Sequence, residues 1–191
     1  FPSRSVPRTH VRLNAAAVVP VAVMLRTTDA RSGQARAEFE GTWRRWEKRC
    51  ITDKGTILYD DYAHHPTNIK ASLQALRELY PKGSKNIIVL FQPHLYSRTK
   101  ALFADFVKSF KDADQVLLLP IYFAREDKDE SVSSDMLAEA ISLEGVKAQS
   151  FPDFDTAETF VESMNLGKSD VFVSMGAGEA YKVVDKVLKF S

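Results

Sequence analysis

The sequence has one cysteine, almost no net charge and no long apolar run, and each shortage excludes a class of protein. Cys50 cannot form an internal disulfide, which is typical of a protein of the reducing cytoplasm. Twenty-six basic residues balance 25 acidic ones, so no overall field favours nucleic acid or an anionic membrane. The longest apolar run, Leu13–Leu25, is interrupted by Asn14 and Pro20 and falls short of the roughly 20 residues of a membrane span. We therefore expect a cytoplasmic protein without nucleic-acid or membrane partners.

Two common catalytic signatures are also absent from the sequence. Gly167-Lys168-Ser169 resembles the end of a phosphate-binding P-loop, but Glu162 stands where the first glycine belongs. A strand rather than a helix is expected after it, so no Walker A motif is present. No serine or cysteine has a histidine and a carboxylate in a pattern that indicates a hydrolase triad. The sequence therefore contains neither a triphosphate loop nor a recognisable hydrolase nucleophile.

The order of apolar segments predicts the fold class. The 191 residues are 45% hydrophobic, which is enough apolar material for the core of one ordinary domain. From Ile57 onward, short continuous apolar runs alternate with amphipathic helices of about 10–15 residues. This alternation indicates βαβ units with a parallel sheet that is buried on both faces. We predict an α/β fold with a Rossmann-like, mainly parallel sheet and helices on both faces.

The expected elements follow one another without an internal repeat. The predicted strands are Thr42–Cys50, Ile57–Tyr59, Asn86–Phe91, Val116–Ile121, Val146–Phe151 and Val171–Met175. The predicted helices are Leu13–Leu25, Ala30–Glu40, Pro66–Leu79, Leu102–Phe110, Ser134–Leu143, Thr156–Met164 and Glu179–Leu188. The first of these helices is rich in alanine and valine, and we expect it to be buried.

Four loops beyond the predicted strands are rich in titratable or flexible residues. Ligands of parallel sheets bind at the carboxyl ends of the strands, so functional side chains are expected there. The four loops are Asp60–Pro66, Gln92–Arg98, Tyr122–Glu126 and Gly176–Glu179. We expect their polar side chains to converge on one rim.

The first of these loops is the densest polar cluster. Consecutive side chains of a strand point in opposite directions, so Asp60 and Asp61 should have different tasks. One of them could cap a helix or hold a turn, and the other could accept two hydrogen bonds from a ribose diol. His64 and His65 are adjacent and lack a third ligand at zinc-like spacing, so we expect no metal site.

Two further motifs suit a phosphate. Arg44 and Arg45 lie between two tryptophans on a predicted strand, whose alternation directs one arginine inward. A guanidinium binds oxyanions through a bidentate fork, although the alternative is a surface arginine that covers a tryptophan ring. Gly176 and Gly178 precede the last helix, where glycines let the backbone approach an anion. The same glycines also occur in loops that are only tightly packed.

Six segments, in this order, resemble the C-terminal part of the Mur ligases, and within that family the branch that uses L-alanine. They are Phe39–Glu47, Asp60–Thr67, Phe91–His94, Tyr96–Thr99, Tyr122–Glu126 and Met175–Gly178. Together they cover roughly Asn14 to the end of the chain. The resemblance implies that residues 1–40 are the helical tail of a central ATP-binding domain. It implies that residues 41–191 are the complete C-terminal, amino-acid-binding domain.

The resemblance implies an ATP- and Mg²⁺-dependent ligase of peptidoglycan synthesis that joins L-alanine to UDP-N-acetylmuramate through an acyl phosphate. ATP and Mg²⁺ would be held mainly by the central domain. The N-terminal and central domains are thus the expected partners, and this stretch alone is expected to be inactive for lack of a P-loop. The alternatives are the related ligase that attaches a tripeptide to UDP-muramate in wall recycling, and a non-catalytic Rossmann-like binding module.

The resemblance also implies roles for individual residues. Arg45 matches the residue that reaches the γ-phosphate, and Arg98 matches a partner for the alanine carboxylate. By position, catalytic roles fall on Arg45 and His64, cofactor contacts on Asn14, Arg45 and Asp61, and substrate contacts on Tyr62, His64, His94 and Arg98. Three features depart from the family pattern. Val11 replaces the asparagine of a histidine-asparagine pair, so one adenine contact is missing, and Leu95 replaces a second arginine. Arg8-Thr9-His10 replaces a glycine-containing approach.

Overall fold

The computed structural model describes residues 18–38 and 43–187, and the chain divides into two compact units, Phe1–Thr42 and Trp43–Ser191. In the first unit residues 18–24 are helical, and helix α1 spans Asp29–Glu38. Val11 and Asn14, with the adenine contact predicted for Asn14, lie outside the described residues. The prediction of a buried helix is wrong for its described part, because the apolar residues Val18, Val21, Val23, Met24 and Leu25 are 49–82% exposed. Apolar composition favours burial, but burial requires a second element that covers the helix.

The second unit contains one six-stranded sheet. Its strands are β1 (Glu47–Ile51), β2 (Ile57–Asp61), β3 (Asn86–Phe91), β4 (Gln115–Leu118), β5 (Lys147–Ser150) and β6 (Asp170–Met175). Their order in space is β1-β2-β6-β3-β4-β5. Only the edge strand β1 is antiparallel to its neighbour, and all other pairs are parallel. The predicted mainly parallel α/β sheet is confirmed.

Helices cover both faces of this sheet. They are α2 (Pro66–Leu79), α3 (Tyr96–Ala101), α4 (Phe103–Ser109), α5 (Ser134–Leu143), α6 (Phe154–Ser163) and α7 (Ala180–Val187). One core cluster joins the sheet to α2, α4 and α5, and a second joins it to α6 and α7. Strand β3 shows why the apolar runs are continuous: Val89 and Phe91 face the first cluster, whereas Ile88 and Leu90 face the second.

Two predicted elements have different boundaries in the structure. The strand expected at Thr42–Cys50 begins only at Glu47, because Arg44 and Trp46 both have a φ of +54°, which interrupts extended backbone. The helix expected at Leu102–Phe110 is present as α4, and the additional helix α3 precedes it. The two helices meet at Leu102, which has φ −112° and ψ 21°. Within residues 18–38 and 43–187, no helix combines the length and apolar character needed to cross a bilayer.

Candidate active site at the carboxyl edge of the sheet

The strand register brings the polar loops to one edge of the sheet. Asp61 and Phe91 both pair with Met175, and Phe91 also pairs with Leu118, so four strands end at the same level. Beyond this level the loops after β3 and β4 remain joined, because Tyr122 N donates to Pro93 O (2.8 Å). The loops that follow β2, β3, β4 and β6 therefore start side by side.

Aromatic and imidazole rings form a row along this edge. The ring centroids of Tyr62 and His64 lie 5.3 Å apart, and those of His64 and His94 lie 6.4 Å apart. His94 in turn stacks on Tyr122 at 5.2 Å. The Arg45 guanidinium lies 5.3 Å from the centroid of Tyr62, at the β2 end of the row. The structure thus brings Arg45, Tyr62, His64 and His94 together.

His64 is held in one orientation and in its neutral form. Its Nδ1 lies 2.9 Å from Tyr62 O. Because a carbonyl oxygen only accepts, Nδ1 carries the hydrogen and Nε2 keeps a free lone pair. Burial lowers the pKa of His64, and the charges of Arg98 and Arg45 lower it further. At neutral pH His64 is therefore available as a base.

His94 and Arg98 have polar atoms that lack partners. His94 Nδ1 and Arg98 Nη1 are buried and find no hydrogen-bond partner among the described residues. Burial lowers the pKa of His94, and the nearby Arg98 charge acts in the same direction. A buried guanidinium N–H without an acceptor is costly, whereas a carboxylate would satisfy it with a charge-assisted bond. This part of the edge is therefore suited to an anionic group.

Of the two adjacent arginines, Arg44 is the inward one. Its Nε donates to Asp60 Oδ2 (3.0 Å), and its Nη2 donates to Gly176 O (2.9 Å). Asp60 also accepts from Ser174 Oγ at 2.8 Å. The expectation that the inward arginine suits a phosphate is wrong for Arg44, since a carboxylate of the protein already occupies its guanidinium. Arg45 is exposed and remains open to an external anion.

Asp60 and Asp61 point in opposite directions and have different partners, as the strand pattern predicts. Asp61 accepts from Trp46 N (3.3 Å) and from the hydroxyl of Ser72. It is buried, and burial raises its pKa while the bonds from Ser72 and Trp46 oppose the rise. Asp61 therefore attaches the Trp43–Trp46 turn to α2. Its contact with a ribose stays a prediction.

The two glycines before α7 are explained by close packing on Gln92. A Cβ on Gly176 would lie 2.7 Å from Gln92 O, and the φ of Gly176 is +126°. A Cβ on Gly178 would lie 2.1 Å from Gln92 Oε1, which accepts from Glu179 N at 2.7 Å. The side chain of Gln92 thus occupies the start of the helix. Tight packing, the alternative to an anion site, therefore explains both glycines.

Sequence reasoning missed the structural roles of Arg44, Gln92, Ser72 and Glu126. Gln92 had a visible signal, since it is a polar residue directly after the apolar run Ile87–Phe91. Glu126 lies in the Tyr122–Glu126 loop, where no role was predicted for it, and it accepts from Ser97 N at 3.0 Å. His65 acts as a cap, because its Nδ1 accepts from Thr67 N at 3.3 Å. In the described part of the chain, no three histidine, cysteine or acidic side chains are arranged to hold a metal ion.

This sheet and its edge define a member of the Mur ligases. Residues 44–178 match the family model described as Mur ligase, glutamate ligase domain, and the chain belongs to this family. Its curated relatives include two UDP-N-acetylmuramate–L-alanine ligases. That of Clostridium kluyveri is 40% identical over 179 residues, which are 94% of this chain and 38% of the relative. That of Bdellovibrio bacteriovorus is 42% identical over 183 residues, which are 96% and 39%.

Solved structures give the same picture. The UDP-N-acetylmuramate–alanine ligase of Thermotoga maritima superimposes with a TM-score of 0.75 at 26% identity, covering 96% of this chain and 38% of that one. A murein peptide ligase of Psychrobacter arcticus shares the fold, with a TM-score of 0.69 at 17% identity over 96% and 37% of the two chains. The chain thus spans about 38–39% of the length of these curated relatives.

Proposed function

We propose that this chain is the C-terminal part of a ligase that joins L-alanine to UDP-N-acetylmuramate with ATP, in peptidoglycan synthesis. The observation that carries the proposal is the buried, unpaired Nη1 of Arg98 beside two histidines held neutral. The similarity to ligases with this activity supports it. In this proposal residues 1–40 are the tail of a central ATP-binding domain, and residues 41–191 bind the amino acid.

Arg98 binds the carboxylate of the incoming amino acid in this proposal. The carboxylate would supply the acceptor that Arg98 Nη1 lacks among the described residues. His94 Nδ1 is also buried without a partner among the described residues, and it can donate to or accept from the bound amino acid. The ring stack of His94 on Tyr122 fixes the histidine, so that it offers a rigid wall to a small substrate. Tyr62 and His64 continue this wall toward Arg45.

His64 takes the proton of the nucleophile. The amino group of alanine is an ammonium group at neutral pH, and its nitrogen has no lone pair until it loses one proton. His64 Nε2 accepts that proton, because Nδ1–H is bound to Tyr62 O. The amine nitrogen then attacks the carbonyl carbon of the acyl phosphate. The C–N bond forms and gives a tetrahedral intermediate, and collapse of this intermediate breaks the C–O bond. Inorganic phosphate leaves and takes the second proton of the amine nitrogen.

Arg45 and Asp61 face the nucleotide in this proposal. Attack of the muramate carboxylate on the γ-phosphorus of ATP forms the acyl phosphate and ADP, and the exposed Arg45 neutralises phosphate charge. Asp61 already accepts from Trp46 and Ser72, but each carboxylate oxygen keeps a lone pair for a ribose hydroxyl. The described residues form no acidic set for Mg²⁺, and in this proposal the central domain holds that ion.

The test compares the full-length ligase that contains this sequence with the 191-residue chain alone. We expect the full-length protein to release phosphate only when ATP, UDP-N-acetylmuramate and L-alanine are all present. We expect the isolated chain to be inactive, since its sequence contains no P-loop. Preference for a tripeptide over L-alanine in competition would instead indicate the wall-recycling ligase. Full-length protein that turns over neither substrate would indicate a non-catalytic module.

A further inference from the structure

The loop after β4 folds back and brings a carboxylate to the start of helix α3. Glu126 N donates to Phe123 O (2.9 Å), and Ala124 adopts a φ of +51°, so residues 123–126 form a tight turn. The turn directs the Glu126 side chain to Ser97. One carboxylate oxygen accepts from Ser97 N at 3.0 Å, and the other accepts from the Ser97 hydroxyl.

Helix α3 is short and has no side-chain cap of its own, so contacts from the loop after β4 hold its start. It contains six residues, Tyr96–Ala101, and its N-cap residue Leu95 makes no side-chain cap hydrogen bond. A helix of this length has little stability of its own, so outside contacts determine where its first turn lies. Arg98 is in that first turn, directly after Ser97. The position of the Arg98 backbone is therefore linked to Glu126.

Electrostatics couple the same groups. The hydrogen bonds from Ser97 are the main cause of the lowered pKa of Glu126, and the charge of Arg98 adds to the effect. Glu126 in turn raises the pKa of His94, against the effect of Arg98. The carboxylate is thus ionised at neutral pH and lies close enough to act on both residues. Its charge and its two hydrogen bonds thus act at the same part of the site, beside His94 and Arg98.

We propose that Glu126 is a positioning residue that fixes Arg98 to receive the carboxylate of the amino-acid substrate. This inference rests on the proposed function. Glu126 contacts Ser97 rather than the substrate, so its effect reaches the substrate only through the first turn of α3. Loss of Glu126 should therefore weaken the apparent affinity for the amino acid and leave nucleotide use unchanged.

The chain offers a matched control for this proposal. Lys100 Nζ donates to Asp129 Oδ2 (3.0 Å), and this pair ties the same loop to the same helix one turn away from Ser97. Both side chains of that pair are exposed. A general need to hold the loop on the helix would make Asp129 and Glu126 equally important. A specific need to place Arg98 would not.

The experiment measures steady-state kinetics of the full-length ligase with E126A, E126Q, S97A and D129N. We expect E126A to raise the KM for L-alanine about three- to tenfold, the range of a net hydrogen bond. The KM for ATP and the kcat at saturating alanine should stay within about twofold. E126Q keeps one acceptor and should lie between E126A and the unmodified ligase. S97A removes one of the two donors, so it should raise the KM for alanine about as much as E126Q. D129N should leave the KM for alanine unchanged.

The possible failures can be distinguished. Absence of alanine-dependent turnover in the unmodified ligase would contradict the proposed function itself. Normal turnover with an unchanged KM for alanine in E126A would contradict only the positioning role. An equal rise in the KM for alanine in D129N and E126A would contradict the specific role, because either contact between loop and helix would then matter equally. A parallel rise in the KM for ATP would show a general disturbance of the domain.

Discussion

Arg44 and Asp60 form a buried ion pair that ties the turn before β1 to the carboxyl end of β2. Arg44 Nε lies 3.0 Å from Asp60 Oδ2, and the two side chains are only 7% and 1% exposed. Arg44 also donates to Gly176 O, so one guanidinium joins three segments of the edge. The neighbouring Arg45 is exposed. Two adjacent arginines thus have separate tasks, one inside the fold and one at its surface.

Breaking this pair should be strongly destabilising. Arg44→Met leaves the Asp60 carboxylate buried without its partner, and removal of one member of a buried pair costs about 3–5 kcal/mol. The double variant Arg44→Met/Asp60→Asn removes both charges and should recover much of the loss. Urea unfolding of the 191-residue chain measures both. Lys182→Met, in an exposed pair with Glu179, is the control and should change stability by less than about 1 kcal/mol.

The contacts of Arg44 also mark the limit of what the sequence predicts. Strand β3 and helix α5 were predicted with the boundaries that the structure has, because burial on one or both sides of an element is a local pattern. The partners of Arg44 lie 16 and 132 residues away along the chain, and no local pattern contains them. Alternation indicated that one arginine points inward but could not indicate which one.

The position of the candidate site was predictable in outline for a related reason. Parallel strands end at one side of a sheet, so the loops with Tyr62, His64 and His94 had to be neighbours once the topology was known. The cap that Glu126 provides for Ser97 crosses 29 residues between two loops, and it depends on a left-handed residue at Ala124. Backbone of that kind is not visible in hydrophobic periodicity.

Alanine at Gly176 should destabilise the domain more than alanine at a glycine in open space. The new Cβ at Gly176 would meet the backbone oxygen of Gln92 at 2.7 Å, which cannot move as a side chain can. We expect Gly176→Ala to cost at least about 1–3 kcal/mol in urea unfolding. Gly83→Ala is the control, since Gly83 also has a positive φ (+86°) but has no neighbour within 4 Å. Equal losses in both variants would leave only backbone strain as the cause.

His64 and His94 should titrate at lower pH in the folded chain, because both rings are partly buried. The pKa values of His64 and His94 are lowered in the folded state, so the folded chain binds these protons less readily than the unfolded chain. Their contribution to stability is therefore present above the unfolded pKa, near 6.5, and is lost as the pH falls through the folded values. NMR titration of the ring protons should give midpoints below 6.5 for both. Stability should fall less between pH 8 and 5 in the double variant His64→Gln/His94→Gln, and an identical slope would contradict the assignment.

Arg45 should be needed for catalysis but not for folding, which is the reverse of its neighbour. Its side chain is exposed, and its guanidinium lies 5.3 Å from the ring centroid of Tyr62. Arg45→Met should therefore change the free energy of unfolding by less than about 1 kcal/mol. If Arg45 neutralises phosphate charge, the kcat of the full-length ligase should fall at least about a hundredfold. Arg45→Lys keeps the charge but loses the planar fork, so its activity should lie between that of the unmodified ligase and that of Arg45→Met. Full activity in Arg45→Met would exclude the phosphate role, and a large loss of stability would show that Arg45 supports the turn itself.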